Sequence, residues 1–246
     1  SRKVAPLKRK RLHDFSMTVA IISGTSINRS VAFAEWDLEL IGTAYGDVEI
    51  KRRGELVIVN RHGFSNPRPP HQSNYRAYVS ALKALGVDST LALSSVGSLR
   101  EDLEPGTLVS CGDYVSFAPV TFVDDKPSGF APRLDNGLLE TVLGLCPYPI
   151  VQEQIYAQTR GPRFETRAEV RILKNWGCDV VGMTFANEAD LLLESDISVT
   201  SLCIVDNFAH GIGVENLTMD GFHSSVGENQ RKVDELLVDL VARFVN

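Results

Sequence analysis

Six polar residues able to bind an oxyanion each follow a short apolar run in the sequence. They are Thr25, Arg61, His62, Ser94, Ser95 and Thr184. A guanidinium group, an imidazole ring and several hydroxyl groups are together suited to hold an anion such as phosphate. Because ligands of open α/β sheets bind where the strands end, we expect these loops to surround one crevice. Each residue taken singly is more often structural or solvated, so the hypothesis depends on the whole set.

Several familiar cofactor and metal motifs do not occur in the sequence. The segment from Ser23 to Asn28 lacks the Gly-x-Gly-x-x-Gly fingerprint, and there is no Gly-x-x-x-x-Gly-Lys P-loop. The five histidines, at positions 13, 62, 71, 210 and 223, are scattered, and no His-Glu-x-x-His motif is present. We therefore expect neither a metal ion nor a nicotinamide cofactor.

The spacing of apolar residues predicts alternating strands and helices around these loops. Strands are expected at 18–22, 55–59, 90–93, 107–110, 113–117, 154–158, 180–184 and 198–205, and helices at 74–85, 138–145, 167–176, 188–193 and 225–244. Thr166 precedes Glu169 with the spacing of a capping box, which marks the start of the helix at 167. Residues 118–137 are rich in proline and glycine and are expected to form a long irregular loop. The alternation predicts an α/β fold.

Composition and charge narrow the class of protein. The 246 residues are 43% hydrophobic and 23% charged, which is typical of one folded globular domain. No apolar stretch approaches the roughly 20 residues that cross a bilayer, so we do not expect a membrane protein. Residues 1–16 hold six basic residues and one acidic residue (+5), whereas the rest holds 19 basic and 30 acidic residues (−11). The acidic body argues against a nucleic-acid partner, and residues 1–16 are expected to be a disordered basic extension of a domain spanning 17–246.

The cysteines indicate a reducing compartment. Cys111, Cys146, Cys178 and Cys203 are widely spaced, and each lies in or beside an apolar run, as buried free thiols usually do. The sequence has no Cys-x-x-Cys pair and no apolar region typical of a signal peptide. We therefore predict a cytoplasmic protein without disulfides or structural zinc.

Six segments, at 21–25, 60–63, 70–76, 95–99, 160–166 and 181–184, resemble the trimeric purine nucleoside phosphorylase and methylthioadenosine phosphorylase family. The pair Gly161-Pro162-Arg163-Phe164-Glu165-Thr166 and Val181-Gly182-Met183-Thr184 is the most specific part, and the likeness runs from about residue 19 to 244. It implies a single domain with a mixed central sheet flanked by helices, assembled as a homotrimer or a dimer of trimers. It also implies phosphorolysis, in which inorganic phosphate attacks the anomeric carbon and the purine leaves, without a tightly bound cofactor.

The resemblance also implies a role for each site residue. The phosphate would be held by Thr25, Arg61, His62, Ser94, Ser95 and Thr184. The catalytic residues would be Asn207, Glu165 and His62. In members that act on 6-oxopurines, a glutamate accepts the ring N–H, which here would be Glu165, and an asparagine contacts N7 and O6, which here would be Asn207. Phe164 would pack against the base, and Met183 would line the ribose.

Three residues bear on the ribose and its 5′ end. Phe130, in the long loop, resembles a phenylalanine that one subunit lends to the ribose site of its neighbour. Met219 falls where many nucleoside phosphorylases have a histidine that meets the 5′-hydroxyl, and a methionine would prefer an apolar 5′-methylthio group. His223 lies four residues later and would instead favour a 5′-hydroxyl, so both substituents stay open.

Two further positions affect substrate preference. Asp206 would favour a 6-aminopurine if it took the place of Asn207, although a carboxylate in such a sequence more often caps a turn. Where the family often has Thr-Val-Pro-Glu, this chain has Thr-Phe-Ala-Asn-Glu at 184–188, and Phe185 is expected to lie near the substrate and narrow the pocket.

We therefore predict that the protein converts a purine nucleoside of the inosine or guanosine type to free base and ribose 1-phosphate. Methylthioinosine and methylthioadenosine are alternative substrates. A purine-binding protein without catalytic activity is an alternative of another class, suggested by the altered segment 184–188. A hydrolase that uses water is a third, but Arg61 and His62 would then have no anion to hold.

Overall fold

The computed structural model describes residues 17–24, 27, 30–126, 129–213 and 219–245, without the side chains of 219–223 and 228. Along the chain the elements are β1 (Val19–Ser23), β2 (Leu38–Ile41), β3 (Val48–Arg53), β4 (Leu56–Asn60), α1 (Tyr75–Ala84), β5 (Ser89–Ser98), β6 (Leu108–Val115), α2 (Leu139–Leu145), β7 (Ile150–Gln158), α3 (Arg167–Asn175), β8 (Val180–Gly182), α4 (Phe185–Glu194), β9 (Ser198–Phe208) and α5 (Met219–Val245). A short 3₁₀ helix, Pro70–Gln72, precedes α1.

The strands form one mixed sheet in the order β2-β3-β4-β1-β5-β8-β7-β6-β9. Strand β9 also pairs with β5, so the last five strands close into a ring. Strand β1 runs parallel to β4 and β5, and β5 runs parallel to β9. The carboxyl ends of these four strands therefore meet at one edge, which is where ligands of α/β sheets bind.

Apolar residues cover both faces of the sheet. In β1, Ala20 and Ile22 belong to a core shared with α1 and α4, whereas Val19 and Ile21 belong to a core shared with α2 and α5. Successive side chains of a strand point to opposite faces, so a strand that is apolar throughout serves both cores. The α/β class, with a mixed central sheet flanked by helices, is confirmed.

The predicted helix boundaries depend on short-range contacts. The Asn74 side chain accepts a hydrogen bond from the N–H of Ala77 at the start of α1, and Gly86 follows that helix with a φ of 70°. The predicted capping box of α3 is present, with both Thr166 and Glu169 in their reciprocal hydrogen bonds. These two helices therefore begin within a residue of their predicted positions.

The structure differs from the prediction at the sheet margin and at some boundaries. Strands β2 and β3 were not predicted, because β2 is largely exposed and β3 ends in charged residues, so neither shows a long apolar run. The two strands predicted at 107–110 and 113–117 form one strand, β6, whose register shifts interrupt the apolar pattern. Helix α4 begins at Phe185 rather than 188, and α5 at Met219 rather than 225.

The predicted extension, residues 1–16, lies outside the described residues, so its boundary with the domain stays a prediction. The described part of the chain contains no helix long and apolar enough to cross a membrane. Cys111, Cys178 and Cys203 are buried, as predicted, whereas Cys146 is half-buried.

Candidate active site

A cavity of about 560 Å³ opens where β1, β4, β5 and β9 end. It is lined by residues from all four strand ends, from the segments that precede α3 and α4, and from helix α5. Among them are the predicted site residues Arg61, His62, Ser94, Ser95, Phe164, Glu165, Met183, Thr184 and Asn207. The fold thus gathers into one cavity residues that are more than 140 positions apart in the sequence.

The remaining predicted site residues do not line this cavity or are not described. Phe130 lies at the surface with 47% of its area exposed, and it is not part of the lining. Thr25 falls outside the described residues, as do the side chains of Met219 and His223. Their predicted roles stay predictions.

Arg61 is buried and paired with a carboxylate that the sequence did not single out as part of the site. Its Nε donates to Glu188 Oε1 at 2.6 Å, and its Nη2 donates to Oε2 at 3.0 Å. Although burial disfavours its charge, the carboxylate of Glu188 raises the pKa of Arg61 above its usual value. Glu188 is fully buried on α4, among Ala189 and Leu191, and an acidic residue within such an apolar stretch is the signal that could have identified it.

His62 enters the cavity as a neutral imidazole. Burial and then the charge of Arg61 lower the pKa of His62 to about 4, so the ring carries no charge at neutral pH. Its Nδ1 is buried without a hydrogen-bond partner among the described residues. A neutral ring of this kind can donate one hydrogen bond and accept another, but it adds no positive charge to the site.

The hydroxyl residues complete one end of the cavity. The Ser94 hydroxyl is buried, and no partner for it is found in the described part of the chain. Thr184 stands at the N-terminus of α4, where its backbone N–H and that of Phe185 donate to the Tyr156 hydroxyl at 3.2 and 3.3 Å. The next amide, Ala186 N–H, donates to Gln158 Oε1 at 3.1 Å, so these first amides of α4 are already bound within the protein. The Ser94 hydroxyl, unpaired among the described residues, and Arg61, both in the lining, still suit this end of the cavity to phosphate.

Another part of the cavity lining presents a carboxylate and an amide, from Glu165 and Asn207. The Glu165 carboxylate is buried and accepts a hydrogen bond from Thr159 Oγ1 at 2.6 Å. Asn207 is half-buried, and its Nδ2 donates to the backbone oxygen of Phe208 at 2.8 Å. The second hydrogen of Nδ2 and the carbonyl Oδ1 can then serve a ligand. A carboxylate acceptor beside an amide is suited to a heterocycle that presents both donors and acceptors.

Two glycines make room for the side chains of Met183 and Asn207. Gly161 has a φ of 65°, and a Cβ there would overlap the side chain of Met183. At Gly97 a Cβ would lie 3.2 Å from Nδ2 of Asn207. Both positions require the close approach that glycine allows.

Asp206 does not take the place of Asn207. It is buried and accepts a hydrogen bond at 2.8 Å from Nδ2 of Asn229 on α5, and it is not part of the cavity lining. Burial raises the pKa of Asp206, although hydrogen bonds from Ser95 and Asn229 oppose the shift. It lies within β9, so the expectation of a turn-capping carboxylate is also wrong.

The expectation that Phe185 narrows the substrate pocket is wrong. Its side chain is fully buried and does not line the cavity. The ring packs edge-to-face against Tyr156, with centroids 5.3 Å apart, and against Tyr114 at 6.2 Å. The first turn of α4 points this side chain into the core, where aromatic packing holds it.

Comparison with known proteins gives similarities that extend over the whole domain. The model of the family described as "Phosphorylase superfamily" matches residues 18–245. A protein of Methanocaldococcus jannaschii named "Probable S-methyl-5'-thioinosine phosphorylase" is 38% identical over 91% of this chain and 91% of its own length. The "6-oxopurine nucleoside phosphorylase" of Pyrococcus furiosus is 34% identical, over 91% and 90%. A solved structure of methylthioadenosine phosphorylase from Schistosoma mansoni in complex with adenine superposes with a TM-score of 0.73, at 28% identity over 92% and 91%.

Proposed function

The chain belongs to the phosphorylase superfamily, and we propose that it catalyses phosphorolysis of 6-oxopurine nucleosides such as inosine and guanosine. One observation carries the proposal: the buried acceptor Glu165 and the amide Asn207 share a cavity with Arg61 and His62. One set of residues is suited to a purine and the other to phosphate. Inorganic phosphate is therefore the proposed co-substrate.

The reaction needs the two substrates held in line. A phosphate oxygen forms a bond to the anomeric carbon while the bond from that carbon to the purine nitrogen breaks, giving ribose 1-phosphate and free base. Arg61, Ser94 and Thr184 would orient the phosphate, so the rate gain comes mainly from orientation and electrostatic complementarity. No covalent intermediate with the protein is required.

The preference for a 6-oxopurine follows from hydrogen-bond pairing. A 6-oxopurine carries a hydrogen on N1, which the Glu165 carboxylate can accept, and an oxygen at position 6, which Nδ2 of Asn207 can reach as donor. A 6-aminopurine has an acceptor at N1, so it would leave the buried carboxylate facing a lone pair. As the purine leaves it gains negative charge, and protonation at N7 creates a donor for Oδ1 of Asn207.

A second candidate substrate is 5′-methylthioinosine, which shares the 6-oxopurine base. The similarity to the Methanocaldococcus jannaschii protein favours it, and so does the methionine at position 219. We further propose a homotrimeric assembly, a cytoplasmic location and no tightly bound cofactor. A purine-binding protein without activity is disfavoured, because Arg61, His62, Glu165 and Asn207 all line the cavity.

Release of free base, measured with and without phosphate, tests the proposal. Inosine, guanosine, adenosine, methylthioinosine and methylthioadenosine are compared, and we expect phosphate-dependent release from the 6-oxopurine substrates. Glu165→Gln should lower kcat/KM for inosine by about 10- to 100-fold, since the amide presents a donor or a weaker acceptor to N1. Glu101→Gln, at an exposed turn outside the cavity, is the matched control and should leave kcat/KM unchanged.

Two results would contradict the proposal. Release from only the 6-aminopurine substrates would assign the base-contacting role to another residue than Glu165. No release from any of the five nucleosides, together with purine binding, would favour the inactive purine-binding protein.

A further inference from the structure

Two buried residues outside the cavity hold the guanidinium of Arg61. Glu188 accepts hydrogen bonds from Nε and Nη2 of Arg61, and Nη2 also lies 3.4 Å from the backbone oxygen of Ile22. The Tyr78 hydroxyl donates to Glu188 Oε1 at 2.8 Å. Neither Glu188 nor Tyr78 lines the cavity, and both side chains are buried.

This pairing determines which part of the guanidinium is left for a ligand. A guanidinium is planar, and Glu188 occupies its Nε–Nη2 edge in the two-point geometry that fixes the plane. Within the described residues, Nη1 makes no hydrogen bond. It lies 3.4 Å from the position a Cβ would take at Gly24, a residue of the cavity wall. The Nη1 hydrogens are thus the ones available at the cavity.

The pairing also removes net charge from this end of the cavity. The positive charge of Arg61 is matched by the negative charge of Glu188, and His62 is neutral at neutral pH. A phosphate ion would therefore meet directed donors rather than an excess of positive charge. When the net charge at this end is close to zero, the affinity for phosphate depends more on the direction of the hydrogen-bond donors than on their charge.

We propose that Glu188 and Tyr78 are positioning residues for the phosphate co-substrate, which hold Arg61 so that its Nη1 group faces the phosphate. The inference rests on the proposed function, because it takes phosphate as the ligand of Arg61. Tyr78 acts one step further out: its hydroxyl fixes the carboxylate of Glu188, and Glu188 fixes the guanidinium. Removing either contact should loosen Arg61 without touching the part of the cavity that binds the purine.

Tyr78→Phe is the mildest test, since it removes one hydroxyl and keeps the ring. We expect the KM for phosphate to rise about fivefold to tenfold, as for loss of one hydrogen bond of ordinary strength, while the KM for inosine changes less than twofold. Tyr114→Phe is the matched control, because the Tyr114 hydroxyl donates at 2.8 Å to Asp190, also on α4, and Tyr114 does not line the cavity. The control should leave both KM values unchanged.

Glu188→Gln separates positioning from net charge. If charge alone governed phosphate binding, removing the negative charge beside Arg61 would lower the KM for phosphate. Positioning predicts the opposite, because a glutamine cannot accept from both Nε and Nη2 of Arg61, and the KM for phosphate should rise more than tenfold. A lower KM for phosphate in Glu188→Gln, or equal changes of both KM values in Tyr78→Phe, would overturn the proposal.

Binding of inorganic phosphate to the wild type, Tyr78→Phe and Tyr114→Phe is also measured directly by calorimetry. This measurement does not require turnover, and it does not depend on whether Glu188→Gln folds. Weaker phosphate binding by Tyr78→Phe than by Tyr114→Phe supports positioning even if no nucleoside is cleaved, in which case only the proposed function fails. Equal phosphate affinity of the two variants, or no binding to the wild type, overturns the positioning role.

Discussion

At the scale of single residues, the close approach of Gly24 and His62 controls the shape of the end of the cavity at which we propose that phosphate binds. A Cβ at position 24 would lie 2.9 Å from Nε2 of His62 and 3.0 Å from its Cδ2, closer than side-chain carbons normally come. The ring lines the cavity, so a shift of the imidazole into the cavity would relieve the overlap. Glycine at this position keeps His62 beside Arg61 without closing the space for phosphate.

We therefore expect Gly24→Ala to raise the KM for phosphate about tenfold, because the displaced imidazole would occupy phosphate space. The KM for inosine should change little, since the purine end is formed by other segments. Gly144→Ala is the control: it lies in α2, a Cβ there would meet no atom within 4 Å, and alanine is the better helix former. Steady-state kinetics with phosphate varied at saturating inosine measures the effect, and an unchanged KM for phosphate in Gly24→Ala would contradict it.

At the scale of elements, the start of α3 determines where Glu165 lies. Thr166 Oγ1 accepts from the N–H of Glu169 at 3.2 Å, and Glu169 Oε2 accepts from the N–H of Thr166 at 2.7 Å. Arg163 donates to both Glu169 oxygens at 2.8 Å. These bonds, first those from Arg163 and then those from Thr166, lower the pKa of Glu169 to about 2. The catalytic candidate Glu165 directly precedes this cap, so the cap orients the chain that carries it.

Replacement of Thr166 tests the cap. Thr166→Ala should lower the free energy of unfolding by about 1 kcal/mol, because the N–H of Glu169 loses its acceptor. It should also raise the KM for inosine through movement of the adjacent Glu165. Thr166→Ser keeps the hydroxyl and should behave like the wild type in urea unfolding and in kinetics. Equal stability of the alanine and serine variants would show that the cap contributes nothing.

The pH dependence of the cap has a definite sign. In the folded protein the pKa of Glu169 is below its ordinary value of 4.5. The ionised carboxylate therefore adds its full contribution to the free energy of unfolding above pH 4.5. It is lost as the pH falls from 4.5 toward about 2.

At the scale of the whole molecule, Phe130 is the residue through which the proposed site would depend on the proposed trimer. It lies in the loop between β6 and α2, is 47% exposed, and does not line the cavity of its own chain. In the arrangement that the family resemblance implies, Phe130 would instead contact the nucleoside bound by a neighbouring copy of the chain. Under the proposed trimer, each site would combine Glu165 and Asn207 of one subunit with Phe130 of the next.

Mixing two variants that we expect to be inactive, Phe130→Ala and Asn207→Ala, tests this arrangement. Subunits with Phe130→Ala keep their own Asn207, and subunits with Asn207→Ala keep Phe130, so hybrid assemblies would contain some sites with both residues intact. After subunit exchange we expect phosphate-dependent inosine cleavage well above the sum of the two variants. Each variant taken alone through the same exchange step is the control. No gain in a mixture shown to form hybrids would place Phe130 outside the neighbouring site.

Much of the fold and of the cavity could be predicted from sequence, because these features depend on residues close together in the chain. Thr166 and Glu169 of the capping box are three positions apart, and the apolar strands β1 and β4 each end directly before a loop that lines the cavity. A sheet then gathers such loops at one edge, whatever the details of packing. Strand β2 was missed because it is exposed and depends on β3 for its hydrogen bonds.

The sequence by itself determined the α/β class, the caps of α1 and α3 and nine of the residues that line the cavity, since local spacing, strand-end position and family motifs specify them. Only the tertiary structure decided that Glu188, 127 residues from Arg61, neutralises that cation. It also decided that Asn207, and not Asp206, lines the cavity. The pairing of β5 with β9 passes from Val96 with Val205 to Gly97 with Asn207, so Asp206 is the extra residue of a bulge. One extra residue reverses which side chains face the cavity, and that depends on how two distant strands pair.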